Sequence, residues 1–127
     1  MTHAHAHIAE PKYATEIEVS GFSLKADEPV SHGGGNSGPA PYDLLAASLC
    51  ACTAITLRMY AERKQWPLTT LDVDVRLIKA AEGDHILRTL AISGLNEEQC
   101  GKLAEVAERT PVTLTLKAGL PIHTSLA

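Results

Sequence analysis

Three cysteines carry the clearest chemical potential in this chain: Cys50, Cys52 and Cys100. An odd number of cysteines without a visible export signal is typical of free or reactive thiols rather than of a disulfide framework. A reactive thiol acts as a nucleophile in its thiolate form. An isolated cysteine is more often a small buried hydrophobic residue. The cysteine count alone leaves both interpretations open.

The histidines give no comparable signal for a metal site. Three of them, His3, His5 and His7, alternate with small or apolar residues in the opening segment. Cysteine and acidic ligands at a fixed spacing do not accompany them, so we interpret them as solvated. The other three lie in separate predicted elements: His32, His85 and His123. We therefore predict neither a metal nor a cofactor.

Composition limits the possible partners of the chain. Its 127 residues fit one domain, and the 45% apolar and 20% charged residues are typical of a soluble globular protein. With a formal charge of −4 and scattered basic residues, no basic stripe favours nucleic acid. We find no apolar run of about 18 residues that would span a membrane and no secretory signal, so we predict a cytoplasmic protein.

Alternating apolar and polar residues predict two antiparallel hairpins. Residues 14–20 and 21–26 form the first, with a turn at Ser20-Gly21, and residues 71–80 and 85–93 form the second. A last strand is predicted over residues 120–126. Residues 1–12 offer no core face, and we interpret them as a mobile arm attached to a single domain of residues 13–127. The Gly- and Pro-rich residues 27–41 lack the Gly-Lys-Ser/Thr ending of a nucleotide loop and are interpreted as a connector.

Two helices are predicted between and after the hairpins. The first begins at Pro41 and runs to about Lys64, and its first four turns are apolar or small on every side. The second begins after Asn96 and ends near Arg109, with Pro111 interrupting it before a short turn. The order ββ-α-ββ-α-β indicates an α+β fold in which helices cover antiparallel sheets. Because one small chain cannot cover a helix that is apolar all round, we predict an intertwined homodimer.

The first helix also limits which groups can meet Cys52. A step of two residues turns about 200° on a helix, so Cys50 and Cys52 point to opposite sides and cannot pair. Asp43 lies nine residues before Cys52, about half a turn away around the helix axis. We expect Asp43 to act through a cation that it orients toward the thiol.

Two segments resemble the OsmC/Ohr family of hydroperoxide reductases. Residues 38–68, GPAPYDLLAASLCACTAITLRMYAERKQWPL, resemble its central helix, and residues 95–116, LNEEQCGKLAEVAERTPVTLTL, resemble its second helix. The likeness covers roughly residues 14–127. It implies a cysteine-based enzyme in which a thiolate attacks the O–O bond of an organic hydroperoxide and becomes a sulfenic acid, an antioxidant role in the oxidative stress response.

The resemblance assigns roles to four residues. Cys52 matches the attacking cysteine, and Asp43 offers the catalytic carboxylate near the start of the central helix. Tyr42 stands where the better-known members have Glu and is expected to line the site. Thr110 stands where the family carries its resolving cysteine, within ERTPV. The family activates its thiolate with an Arg from an early strand.

The departures at these positions change the expected cycle. No Arg precedes Arg58, so the cation would come from one of three residues: Lys12, Lys25 or Arg109. A hydroxyl at Thr110 cannot close a disulfide, so we predict a one-cysteine cycle completed by an external thiol or dithiol. Resolution by Cys50 or Cys100 is a second route. The alternative class is a non-catalytic dimer that binds a small apolar ligand and in which Cys52 is a packing residue.

Overall fold

A computed structural model describes residues 1–10 and 12–127 of the chain. They fall into two compact units, residues 1–45 and 46–127. Both units contain antiparallel strands, and helices follow the strands in each, so the α+β class predicted from the sequence is confirmed.

The first unit contains a three-stranded antiparallel sheet. Its strands are β1 (Ala4–Ile8), β2 (Thr15–Val19) and β3 (Phe22–Ala26), in the order β1-β2-β3. Ser20 and Gly21 have φ of 50° and 85°, the left-handed conformations that a tight hairpin turn requires. The first predicted hairpin is therefore confirmed.

Strand β1 corrects the interpretation of the opening residues. We expected residues 1–12 to have no regular structure, but Ala4–Ile8 pair with β2 along their whole length. All five side chains of β1 are exposed, so backbone hydrogen bonds hold the strand and no core face marks it in the sequence. The mobility of this arm and the single-domain interpretation stay predictions.

The Gly- and Pro-rich connector is an ordered loop. The carboxylate of Asp27, which is buried, accepts hydrogen bonds from Ser37 N at 3.0 Å, Ser37 Oγ at 2.7 Å and Glu28 N at 2.7 Å. These bonds, those from Ser37 foremost, lower the pKa of Asp27. A Cβ at Gly34 or Gly38 would collide with backbone carbonyl groups, those of Glu28 and Lys25, so glycine is required there by close packing.

Helix α1 (Pro41–Arg63) runs from the first unit into the second. Its buried residues, Leu49, Thr53, Leu57 and Ala61, are spaced by four and form one stripe. On other faces Ile55 and Met59 are more than half exposed. A single chain thus covers one stripe of the helix and leaves the other faces uncovered, as expected from a helix that is apolar on every side.

Helix α1 also contradicts the prediction that the chain has no apolar run long enough to span a membrane. By length and composition α1 could also cross a membrane, contrary to our expectation that no segment is apolar enough. Core helices of soluble proteins share these properties.

The second unit packs a hairpin against helices. Its hairpin joins β4 (Thr70–Ile78) to β5 (His85–Ser93), as predicted, and helix α2 (Glu97–Ala107) begins at Asn96. Asn96 accepts from Gln99 N, and the Gln99 side chain accepts from Asn96 N, a complete capping box. A third helix, α3 (Pro111–Ala118), follows. The core centres on the fully buried Leu57 and Leu103, with Ala107 beside them.

The end of the chain also differs from the prediction. The predicted strand at residues 120–126 is absent, and residues 119–127 are exposed and have no regular structure. Alternation can mark a strand only where another strand is available to pair with it, and none of the described strands pairs with this segment. The observed order among the described residues is therefore βββ-α-ββ-α-α.

Candidate functional site

Cys52 lies against the first turn of α3. It is half-buried on α1, and its Sγ accepts a hydrogen bond from Val112 N at 3.5 Å. The hydroxyl of Thr56, one turn further along α1, is 3.9 Å from the same sulfur. The thiol is thus held by a backbone donor from a segment 60 residues away.

Proline at position 111 explains why Val112 donates to the sulfur. The first N–H groups of a helix have no partner within the helix. Pro111 occupies the first turn and has no N–H, so Val112 carries the first amide proton of α3. The amino end of a helix also favours negative charge on a nearby acceptor. The Val112 N–H is therefore available to donate to the Cys52 sulfur.

Thr110 precedes this turn as the N-cap of α3. It is fully buried, and its Oγ1 lies 2.6 Å from Thr113 Oγ1 instead of capping the helix. Thr110 is two residues before Val112, whose amide contacts Cys52. The start of α3 thus contains both the amide that touches Cys52 and Thr110, the position where the sequence resemblance predicts the second cysteine.

Arg88 on β5 is a charged residue of this region that the sequence analysis missed. Its Nη1 donates to Thr53 Oγ1 at 3.0 Å and to Thr113 Oγ1 at 2.8 Å. Its Nη2 donates to Ala107 O at 2.8 Å and to the Glu108 carboxylate at 3.2 Å. The Arg88 side chain is only 11% exposed. One guanidinium therefore joins β5 to all three helices of the second unit.

The charge of Arg88 is balanced by Glu108, which also binds Lys117 at 2.9 Å. The ammonium of Lys117, and after it the guanidinium of Arg88, hold the pKa of Glu108 below its usual value. Glu108 therefore stays ionised near neutral pH. The partly buried cation has a permanent counter-ion.

The directions of the hydroxyl hydrogen bonds follow from counting protons. Thr53 donates to Leu49 O at 2.7 Å, so it accepts from Arg88. Thr113 also accepts from Arg88, and it lies 3.3 Å from Ala107 O. Every proton finds an acceptor among the described residues when Thr113 donates to Ala107 O and Thr110 donates to Thr113.

The alternation of β5 contains a signal for Arg88. Positions Ile86, Arg88, Leu90 and Ile92 are half-buried, whereas the residues between them are exposed. A single arginine in the inward-facing set of a strand indicates a partly buried, bonded cation. Of the cations we did consider, Lys25 pairs with Glu16 at 3.5 Å and Lys12 lies over the Tyr13 ring.

Asp43 and Tyr42 lie in the first unit. The Asp43 carboxylate accepts from Ala40 N at 2.9 Å and so caps the start of α1. Both residues line an open cavity of about 700 Å³ together with Glu28 and His32. The catalytic role of Asp43 and the site-lining role of Tyr42 stay predictions.

A smaller cavity of about 220 Å³ lies within the second unit, beside Arg88. Leu49, Ile86 and Leu116 form its apolar walls, and the polar groups are those of the Arg88 network. The cavity is large enough for a short aliphatic chain.

All three cysteines are free thiols. Cys50 faces β4, where its Sγ donates to Val73 O at 3.6 Å, so it points away from the contact that Cys52 makes with α3. Among the described residues, no group of three or more His, Cys, Asp or Glu side chains could hold a metal ion.

Comparison with models of protein families identifies the family of this chain. The model of the OsmC-like protein family matches residues 33–125, which is most of the chain. The chain belongs to the OsmC-like family. Helix α1 is accordingly the core helix of a soluble OsmC-like fold.

Solved structures agree with this fold. An organic hydroperoxide resistance protein OsmC from Legionella pneumophila superposes with a TM-score of 0.70 at 24% identity, over 92% of this chain and 89% of that one. An OsmC-like protein from Mycoplasma pneumoniae gives a TM-score of 0.73 at 17% identity, over 92% and 87%. The organic hydroperoxide resistance protein OhrB of Bacillus subtilis gives 0.63 at 22% identity, over 91% and 90%. A search of curated proteins finds no match.

Proposed function

We propose that this OsmC-like protein is a cytoplasmic thiol-dependent peroxidase that reduces organic hydroperoxides with Cys52 as its nucleophile. The observation that carries the proposal is the hydrogen bond from Val112 N to Cys52 Sγ at 3.5 Å. A backbone N–H at the first turn of a helix stabilises the thiolate, which is the form that attacks peroxides. The names of the Legionella and Bacillus proteins of the same fold agree with this class of substrate.

The first half-reaction oxidises Cys52. The thiolate attacks the terminal oxygen of the hydroperoxide, the S–O bond forms and the O–O bond breaks. The alkoxide leaves and takes up a proton to become the alcohol. Cys52 is then a sulfenic acid, oxidised by two electrons.

The second half-reaction needs a reductant from outside the chain. A hydroxyl at Thr110 cannot attack the sulfenic acid to give a disulfide, and Cys50 faces β4. A small thiol attacks the sulfenic sulfur, releasing water and leaving a mixed disulfide. A second thiol attacks this disulfide, restores Cys52 and leaves as the oxidised reductant.

We propose that the active form is a homodimer. In the single chain Ile55 and Met59 are 55% and 51% exposed on α1. An apolar helix face of this kind is typical of a surface that is covered in an assembly. A second copy packed on this face would cover the helix that the single chain leaves half exposed.

The test is the loss of an organic hydroperoxide in the presence of excess dithiothreitol. Cys52→Ser should abolish consumption, whereas the matched controls Cys50→Ser and Cys100→Ser should keep most of it. Mass spectrometry should find the sulfenic acid, and then the sulfinic acid, on Cys52 when the thiol is withheld. Full consumption by Cys52→Ser would refute the proposal. Absence of consumption in the parent would favour the non-catalytic ligand-binding alternative.

A further inference from the structure

Cys52 and Val112, the two residues in contact at the thiol, are each followed by a threonine, and both threonines bind the same nitrogen of Arg88. Cys52 precedes Thr53, and Val112 precedes Thr113. Nη1 of Arg88 donates to both threonine hydroxyls, at 3.0 Å and 2.8 Å. Nη1 of Arg88 thus bonds α1 and α3 next to the thiol and sets the spacing between them.

The second terminal nitrogen of the Arg88 guanidinium holds the side chain in place. Nη2 donates to Ala107 O, a carbonyl of the last turn of α2, where a cation is favoured by the helix dipole. Glu108 binds the same Nη2 and is itself bound by Lys117 on α3. Four of the five N–H donors of Arg88 are therefore used in holding neighbouring elements.

We propose that Arg88 is a positioning residue that keeps the Val112 N–H aimed at Cys52 Sγ. The inference rests on the proposed function of Cys52 but concerns the reactivity of the thiol, which can be measured without a peroxide. Arg88 acts through Thr53 and Thr113, since its hydrogen bonds go to these hydroxyls, to Ala107 and to Glu108. The chemistry therefore depends on a strand residue that is not bonded to the sulfur.

The distances explain why arginine is needed for this role. A planar fork can hold two hydroxyls with one nitrogen and a carbonyl and a carboxylate with the other. A lysine has three donors on one atom and cannot span the same set of acceptors. Arg88→Lys should therefore keep the charge and lose part of the positioning.

The experiment measures alkylation of Cys52 by iodoacetamide over a range of pH, followed at the Cys52 peptide by mass spectrometry. Arg88→Met should slow this reaction about tenfold, the size of one lost hydrogen bond to a charged group. Arg88→Lys should lie between Arg88→Met and the parent. Arg76→Met is the matched control, since Arg76 is an exposed arginine of the neighbouring strand whose ion-pair partner is Asp74. It should react like the parent.

Peroxide kinetics add a readout that a change in overall packing alone would not produce. Because Arg88 acts on Cys52, Arg88→Met should lower kcat/KM for the hydroperoxide, the substrate that Cys52 attacks. The KM for the external reducing thiol should stay unchanged. Equal alkylation rates in Arg88→Met and Arg76→Met would overturn the inference. If Arg88→Met does not fold, Thr113→Val decides: slower alkylation supports the inference, and an unchanged rate overturns it. Slower alkylation in a chain without peroxidase activity would refute the proposed function alone.

Discussion

Installing the missing cysteine tests the arrangement of Cys52 and α3 most directly. Thr110→Cys places a thiol at the N-cap of the helix whose Val112 amide touches Cys52 Sγ. A disulfide needs Cα atoms within about 7 Å, and a residue two positions from that amide can meet this limit. We expect the introduced thiol to form a disulfide with Cys52 under mild oxidation and to protect Cys52 from the sulfinic state.

The size of the effect follows from the loop that this disulfide would close. A loop of about 58 residues corresponds to about 4 kcal/mol of lost entropy in the unfolded chain. Loss of the Thr110 hydroxyl, which is bonded to Thr113 in the core, subtracts about 1 kcal/mol from the stability of both redox forms. The oxidised variant should thus be about 4 kcal/mol more stable than its reduced form.

Urea unfolding with and without dithiothreitol measures this difference. The double variant Thr110→Cys/Cys52→Ser is the control, because it cannot form the disulfide and should show no redox dependence. The variant Thr110→Cys/Cys50→Ser should keep the full effect. If both thiols of Thr110→Cys stay free after oxidation, residue 110 and Cys52 are too far apart and the reasoning fails.

Three further predictions concern other parts of the chain. Ile55→Glu should convert the proposed dimer into a monomer, and sedimentation equilibrium that shows the parent as a monomer would contradict the proposal. Asn96→Ala should lower the free energy of unfolding by about 1 kcal/mol through the lost capping box, and Glu97→Gln is the control for the same turn. Asp27 has a lowered folded-state pKa, so its stabilisation is present above its unfolded pKa of about 3.9 and is lost as pH falls through the folded value. The difference in unfolding free energy between the parent and Asp27→Asn should therefore shrink between about pH 7 and about pH 3, and a constant difference would show that the carboxylate does not stabilise the loop by its charge.

The helices and hairpins were predictable because their signals are local. The Asn96 cap, the turn at Ser20-Gly21 and the long segment after Pro41 without Gly or Pro each determine structure within a few residues. Strand β1 was not predictable from a core face, since its side chains are exposed and only the backbone pairs. The prediction of a strand at residues 120–126 was wrong for the opposite reason. The segment has the alternating pattern, but none of the described strands pairs with it.

The site was only partly predictable for a related reason. Family resemblance selected Cys52 and Thr110, and the structure brings Cys52 to the helix turn that Thr110 precedes. The candidate cations predicted from the sequence were Lys12, Lys25 and Arg109, and Arg88 was not among them. Its inward-facing position on β5 was visible in the sequence, but its four bonds depend on contacts between elements that are distant in sequence.

The chain of hydroxyls beside Arg88 makes the identity of residue 110 dependent on that of residue 113. In the arrangement that satisfies every hydroxyl, Thr110 donates a hydrogen bond to Thr113, and Thr113 donates one to the carbonyl of Ala107. A cysteine at 110 is a much weaker donor, so Thr110→Cys would weaken the hydrogen-bond chain that supports Arg88. Substitutions at residues 110 and 113 should therefore have strongly non-additive effects on stability. The stability cost of Thr110→Cys is thus set in part by the residue at position 113.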